Sequence, residues 1–110
     1  MCTAIALAYS EVPLVAVERH GLAARVHDRG GEREVRFYRQ ACPALIPCWW
    51  NGRFQVLRWG NRDRAETKLP PTSWTWRETV EAGKWRELEP EPVVVPASFG
   101  FAGGVWYKVK

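Results

Sequence analysis

The sequence predicts an α+β domain that is mainly β. Three observations carry this. Asn51-Gly52 stands between two apolar runs and is the strongest short hairpin signal. Arg29-Gly30-Gly31-Glu32 separates a second pair of extended runs, with glycines that tolerate positive φ. Only one segment, 75–83, has the signals of a helix. The expected architecture is a curled sheet or partial barrel with one or two short helices.

Taken in order, residues 2–8 (CTAIALA) read as a buried strand or a short helix. Pro13 followed by Leu14-Val15-Ala16-Val17 suggests a second extended piece. Residues 23–39 form a hairpin, with Val35 and Phe37 alternating against Glu34 and Arg36, so one face is apolar and the other charged. Residues 45–60 (LIPCWWNGRFQVLRWG) make the next hairpin. Residues 61–72 are a polar loop closed by prolines. Thr75-Trp76-Arg77-Glu78 has the spelling of a capping box and Gly83 that of a helix end, which places a helix over about 76–82. Two strands follow, in the VVVPA and GVWYKV segments, with SFGFAG between them.

The chain has 110 residues, one domain spanning 1–110. Apolar residues make up 46% and charged residues 25%, which excludes a mostly disordered chain. No apolar run reaches the length of a membrane span, and no basic stretch precedes the first apolar run, so neither a membrane partner nor a secretory signal is expected. Cys2, Cys42 and Cys48 are an odd number of thiols, which fits a reducing, cytoplasmic setting. Cys42 and Cys48 lack the spacing of a zinc knuckle, and His20 and His27 do not complete one, so no metal is expected. Both cysteines sit in an apolar stretch and are expected as core thiols. The net charge of +4 favours anionic partners. Seven Trp in so short a chain either fill the core or stack on bases beside arginines that hold phosphates.

Two features carry chemistry. Met1 precedes a small residue, so its removal would leave Cys2 at the amino terminus. An α-amine and a thiol then share one residue. Such an aminothiol condenses with an aldehyde to an imine, which the thiol closes to a thiazolidine; no internal cysteine can do this. The alternative is that Cys2 simply enters a strand. The second feature is the loop 59–67, Trp-Gly-Asn-Arg-Asp-Arg-Ala-Glu-Thr. Arg62 and Arg64 can hold phosphates, Asn61 can orient a reacting group, and Glu66 can move a proton; otherwise this is a solvated charged turn.

Together these features resemble the SOS-response-associated peptidase (SRAP) family. Its members begin Met-Cys. They then carry Trp-Gly, Asn-Ala-Arg-Ala-Glu-Thr, and a Val-Pro-Ala segment followed by Gly-Phe and an acidic residue before Trp. Here the last segment reads Val94-Val95-Pro96-Ala97-Ser98-Phe99-Gly100-Phe101, with Trp106 following. The resemblance implies a protein that exposes Cys2 by removing its own Met1. It implies binding to single-stranded DNA and capture of abasic sites, whose open sugar is an aldehyde, as a thiazolidine crosslink in the DNA damage response. Cys2 is then the nucleophile, Asn61 lies near the trapped sugar, Arg64 contacts phosphate, and Glu66 matches the motif's glutamate. DNA contacts fall to Arg62, Arg64, Trp59 and Trp50, and no cofactor is called for. The chain departs from the family in four places. Thr3-Ala4 replace the usual Gly-Arg. One extra residue separates Asn61 from Arg64. Ala102-Gly103-Gly104-Val105 replaces the family's glutamate. No His-Asp-Arg follows the other motifs, and His27-Asp28-Arg29 lies on the wrong side of them. The departures leave two other readings. One is a phage-derived, non-catalytic module on the same fold that contacts DNA or a host protein. The other is a plain β-rich interaction domain.

Overall fold

The computed structural model describes residues 2–62, 64, 67 and 70–109. Seven strands and two short helices follow one another: β1 (Ala4–Ala8), α1 (Leu14–His20), β2 (Val26–Arg29), β3 (Glu32–Tyr38), β4 (Leu45–Trp50), β5 (Arg53–Arg58), α2 (Arg77–Glu81), β6 (Phe99–Ala102) and β7 (Val105–Lys108). The class is α+β, mainly β, as expected.

Five strands form one antiparallel sheet in the order β2-β3-β1-β6-β7. β4 and β5 form a separate hairpin through Asn51-Gly52, both at positive φ. The Gly30-Gly31 turn joins β2 to β3, also at positive φ. Both hairpins fall where the turn residues placed them.

The pairing register sorts side chains onto two faces. Ile5, Leu7, Val35 and Phe37 share the inner face and are buried. Val12, Ala16, Val17 and Leu22 close over them, and Val56 joins from β5. Burying a side chain the size of Phe37 or Leu22 contributes roughly 1.5–3 kcal/mol. On the other face Ala4 and Ala6 make a floor of small residues, both fully buried. They are covered by long side chains from strands that do not touch. Arg29 of β2 lays its guanidinium 4.2 Å from the Phe99 ring centre and 4.8 Å from that of Trp106. Tyr38 meets Trp106 edge-on at 6.5 Å, although β1 and β6 lie between their strands. Glu34, only 4% exposed, takes two hydrogen bonds from Arg29 (2.6 and 2.9 Å) and one from Arg36 (2.8 Å). Burial alone would push its carboxyl up, but the hydrogen bonds and charges of Arg29 and Arg36 outweigh this and hold it below the usual value.

Four expectations are corrected. Residues 14–17 are helical, not extended. Pro13 precedes the first turn, its carbonyl accepts from Ala16 and Val17, and Gly21 closes the helix at φ 62° with its N–H on Val17. The valines read as strand, but the core needs Val12, Ala16 and Val17 on one side, a helical spacing. The capping box does not form. Trp76 is the N-cap of α2, and the Thr75 hydroxyl donates to the Trp76 carbonyl instead. Gly83 does follow the helix at φ 72°. The VVVPA strand shrinks to a single bridge between Val94 and Trp49, and the strand lies in the expected connector as β6. Pro96 explains the shift, since a proline cannot donate within a ladder. Cys42 is exposed, and only Cys48 is a core thiol, its pKa pushed up by burial.

Candidate nucleic-acid interface

β1 and β3 run antiparallel, so the start of β1 and the end of β3 share one end of the sheet. Thr3 is held there on both sides. Its N–H donates to Phe101 (2.8 Å), and its carbonyl accepts from the Arg39 N–H (2.9 Å). Cys2 is therefore carried on a fixed strand end, half-buried against the core.

Past Arg39 the chain runs through Cys42 and Ala44 into β4, and β5 returns at Arg58. The Trp59 N–H donates to the Ala44 carbonyl (2.8 Å) and closes this end of the hairpin. Between these walls lies a cleft of about 220 Å³, lined by Arg39, Cys42, Arg58, Trp59, Gly60 and Arg62 among others. Three of its lining residues are arginines. No described residue lining it is acidic. Arginine and indole side chains are the groups that can meet an anion carrying a flat ring.

The loop beyond it is anchored by Gly60 and Asn61. Gly60 sits at φ 83° against Ser73, where a Cβ would lie 2.5 Å from the Ser73 Cα. Asn61 is buried. Its backbone N–H donates to Thr72 (2.8 Å), its amide to Pro70 (3.3 Å), and its carbonyl accepts from the Arg64 N–H (3.0 Å). Arg62 and Arg64 are exposed.

The sequence-predicted residues thus fall into groups. Trp59 and Arg62 meet in the cleft. Cys2 is at the same end of the sheet but does not line the cleft; the Arg39–Thr3 hydrogen bond links the two. The Asn61 side chain is spent on the loop itself. Arg64 follows at φ 58°. Trp50 is at the turn end of the β4–β5 hairpin, a strand's length from Trp59. It is half-buried and does not share the cleft. Glu66 lies outside the described residues. No group of three or more metal-ligating side chains occurs among the described residues.

Sequence reasoning missed Arg39, Arg58 and the pair Trp74–Trp76. These two indoles are 42% and 66% exposed and meet edge-on at 5.1 Å, on the chain that Thr72 and Ser73 fasten to the loop. Their Trp-x-Trp spelling was the available signal, since neighbours two apart share a face in extended chain. Comparison of the chain with protein-family models, with curated proteins and with solved structures gave no match.

Proposed function

We propose that this chain is a compact SRAP-like protein that binds single-stranded DNA and traps abasic sites through Cys2 after loss of Met1. The observation that carries the reading is the position of Cys2 and of a cleft with Arg39, Arg58, Arg62 and Trp59 among its lining residues at one end of the sheet. We propose with it the family's curled sheet, and a cytoplasmic setting for the reduced thiols.

The chemistry balances without a cofactor. The Cys2 amine adds to the sugar aldehyde and water leaves, giving an imine. The sulfur then adds to the imine carbon, and its proton ends on the nitrogen. One new C–N bond and one new C–S bond replace the C=O. Arg39, Arg58 and Arg62 hold phosphates around the lesion, and Arg64 extends the same charge along the loop. Trp59 forms one wall of the base site, while exposed Trp74 and Trp76 offer stacking faces beyond it. Asn61 keeps the loop in place, and Glu66 keeps the role that the family's motif gives it.

The test is a denaturing gel with an abasic oligonucleotide. A shifted band that survives denaturation, and is lost in Cys2→Ala and in the oligonucleotide without the lesion, supports the reading. A second reading, a non-catalytic phage-related module that contacts DNA or a host protein, is favoured by the segment Phe101-Ala102-Gly103-Gly104-Val105, which has no acidic residue where the family has its glutamate before Trp106. It predicts salt-sensitive binding with no covalent band.

A further inference from the structure

The β4–β5 hairpin leaves one long edge of β5 without a strand beside it among the described residues. Trp49 spends its N–H and its C=O on Val94, on the far side from β5. The Trp49–Phe54 pair is therefore of the kind that exchanges no hydrogen bonds, and Phe54 turns its own backbone groups to the open edge. Val56, two residues on, does the same. Its partner is Pro47, which has no N–H to give to a ladder. Neither N–H has a backbone partner among the described residues.

α1 packs beside β5, since Ala16, Val17 and Val56 belong to one core cluster. Ala16, Arg19 and His20 share one face of the helix, being three and four residues apart. Residues of this face and of β5 line a cavity of about 420 Å³. Its lining includes Arg19 and His20 from α1, and Arg53, Phe54, Gln55 and Val56 from β5. Glu18, the one acid of α1, is not among them. No side chain of Arg19, His20, Arg53 or Gln55 has a hydrogen bond or ion pair among the described residues. Elsewhere Arg29 and Arg36 spend their charge on Glu34, and Arg77 on Glu81. Arg19 and Arg53 thus line one cavity with two open edge residues, and no carboxylate of the described chain answers them.

We infer that this cavity binds a phosphate monoester on a hydroxylated ring body, the chemistry of a nucleoside monophosphate. The charge selects the phosphate. A carboxylate or a phosphodiester carries a single negative charge and would leave one guanidinium unanswered. A phosphate monoester carries about −1.5 to −2 near neutral pH and answers both. His20, Gln55 and the two edge N–H groups supply further donors to its oxygens. The edge carbonyls of Phe54 and Val56 repel an anion, so the arginines must hold it. Those carbonyls are left to accept from the hydroxyls of the body. Phe54, with Pro13 and Val15, supplies apolar surface for the ring. The volume falls within the range of small-molecule sites, about 300–1,000 Å³. Arg53 begins β5, while Arg58 of the arginine cleft ends it, so the inference stands whether or not the chain traps abasic sites.

Titration of the isotope-labelled chain with adenosine monophosphate, followed by its amide resonances, tests this. The Phe54 and Val56 amides should shift saturably, with a dissociation constant below roughly 1 mM. Arg19→Gln and Arg53→Gln, both at exposed positions, should each weaken binding by about tenfold or more with the rest of the spectrum unchanged. Arg77→Gln removes the same charge from α2 and should bind as the parent does. Adenosine, which has the ring and the hydroxyls but no phosphate, should bind about tenfold more weakly or worse. A short oligonucleotide with a terminal phosphate, set against the same strand ending in a hydroxyl, separates the two sources of the group. A phosphate-dependent shift of Phe54 and Val56 that saturates earlier than with adenosine monophosphate assigns a strand end, and one that saturates later assigns the free nucleotide. The inference is overturned if Phe54 and Val56 show no saturable shift, or if the shifts are confined to Gly60 and Arg62. It is equally overturned if a folded Arg53→Gln variant, or adenosine with the parent chain, binds as tightly as the parent binds the nucleotide.

Discussion

Glu34 is the charge on which the outer face of the large sheet depends, and Glu34→Gln removes that charge while keeping the shape. The carboxylate receives three charge-assisted hydrogen bonds from Arg29 and Arg36, whose side chains are 28% and 20% exposed. Glutamine keeps one acceptor oxygen and turns an NH₂ toward a guanidinium, so at least one bond becomes a donor–donor clash. Breaking a buried ion pair from one side costs about 3–5 kcal/mol. Partial exposure of both arginines lowers this to about 2–3 kcal/mol, because water takes up part of the freed charge. Against a domain stability of roughly 5–15 kcal/mol this is a large loss. Urea unfolding followed by tryptophan fluorescence reads it directly. The same pair gives a pH signature. The folded Glu34 carboxyl titrates below its ordinary 4.5. Its contribution is therefore complete above that value and is lost as pH falls through the folded one. The parent chain should lose stability in that acid window, and the variant should lose less. A cost below about 0.5 kcal/mol, the size of an exposed pair, would refute the reasoning.

Leu22, fully buried where the chain turns between α1 and β2, should cost about 2–5 kcal/mol as Leu22→Ala in the same urea assay; below 1 kcal/mol the described core is wrong. Gly60→Ala combines positive φ with a Cβ that meets the Ser73 backbone, so it should destabilise the chain by about 1–3 kcal/mol, and an unchanged midpoint would show that the loop is not clasped there. Arg62→Ala, at an exposed cleft position, should leave folding alone. It should lower the slope of log binding constant against log salt by about 0.7 for single-stranded DNA, and an unchanged slope removes Arg62 from the interface.

The hairpins were legible because their turns carry local chemistry. Asn51-Gly52 and Gly30-Gly31 take positive φ at little cost whatever surrounds them, and the structure uses them so. α1 was not legible, because its four-residue apolar run has no period of its own; the helix is selected by what Ala16 and Val17 must cover. β6 was missed for a similar reason. Phe99-Gly100-Phe101 reads as a connector until Tyr107 needs the space over Gly100 and Ala6 needs a ring above it. At the candidate site, Trp59 and Arg62 were legible as neighbours in sequence. Arg39 and Arg58 reach the same cleft from the ends of two other strands, which only the fold brings together. Asn61 was chosen for its chemistry, and its burial gives it a structural task that composition does not reveal.

The central claim is tested most directly by intact-mass spectrometry of the purified chain, alone and after incubation with an abasic oligonucleotide. The account predicts a chain lacking Met1 and an adduct equal to the two masses less one water, resistant to borohydride because no imine remains, with Cys2 as the modified residue. A chain that retains Met1, or one that yields no adduct at saturating oligonucleotide, contradicts it.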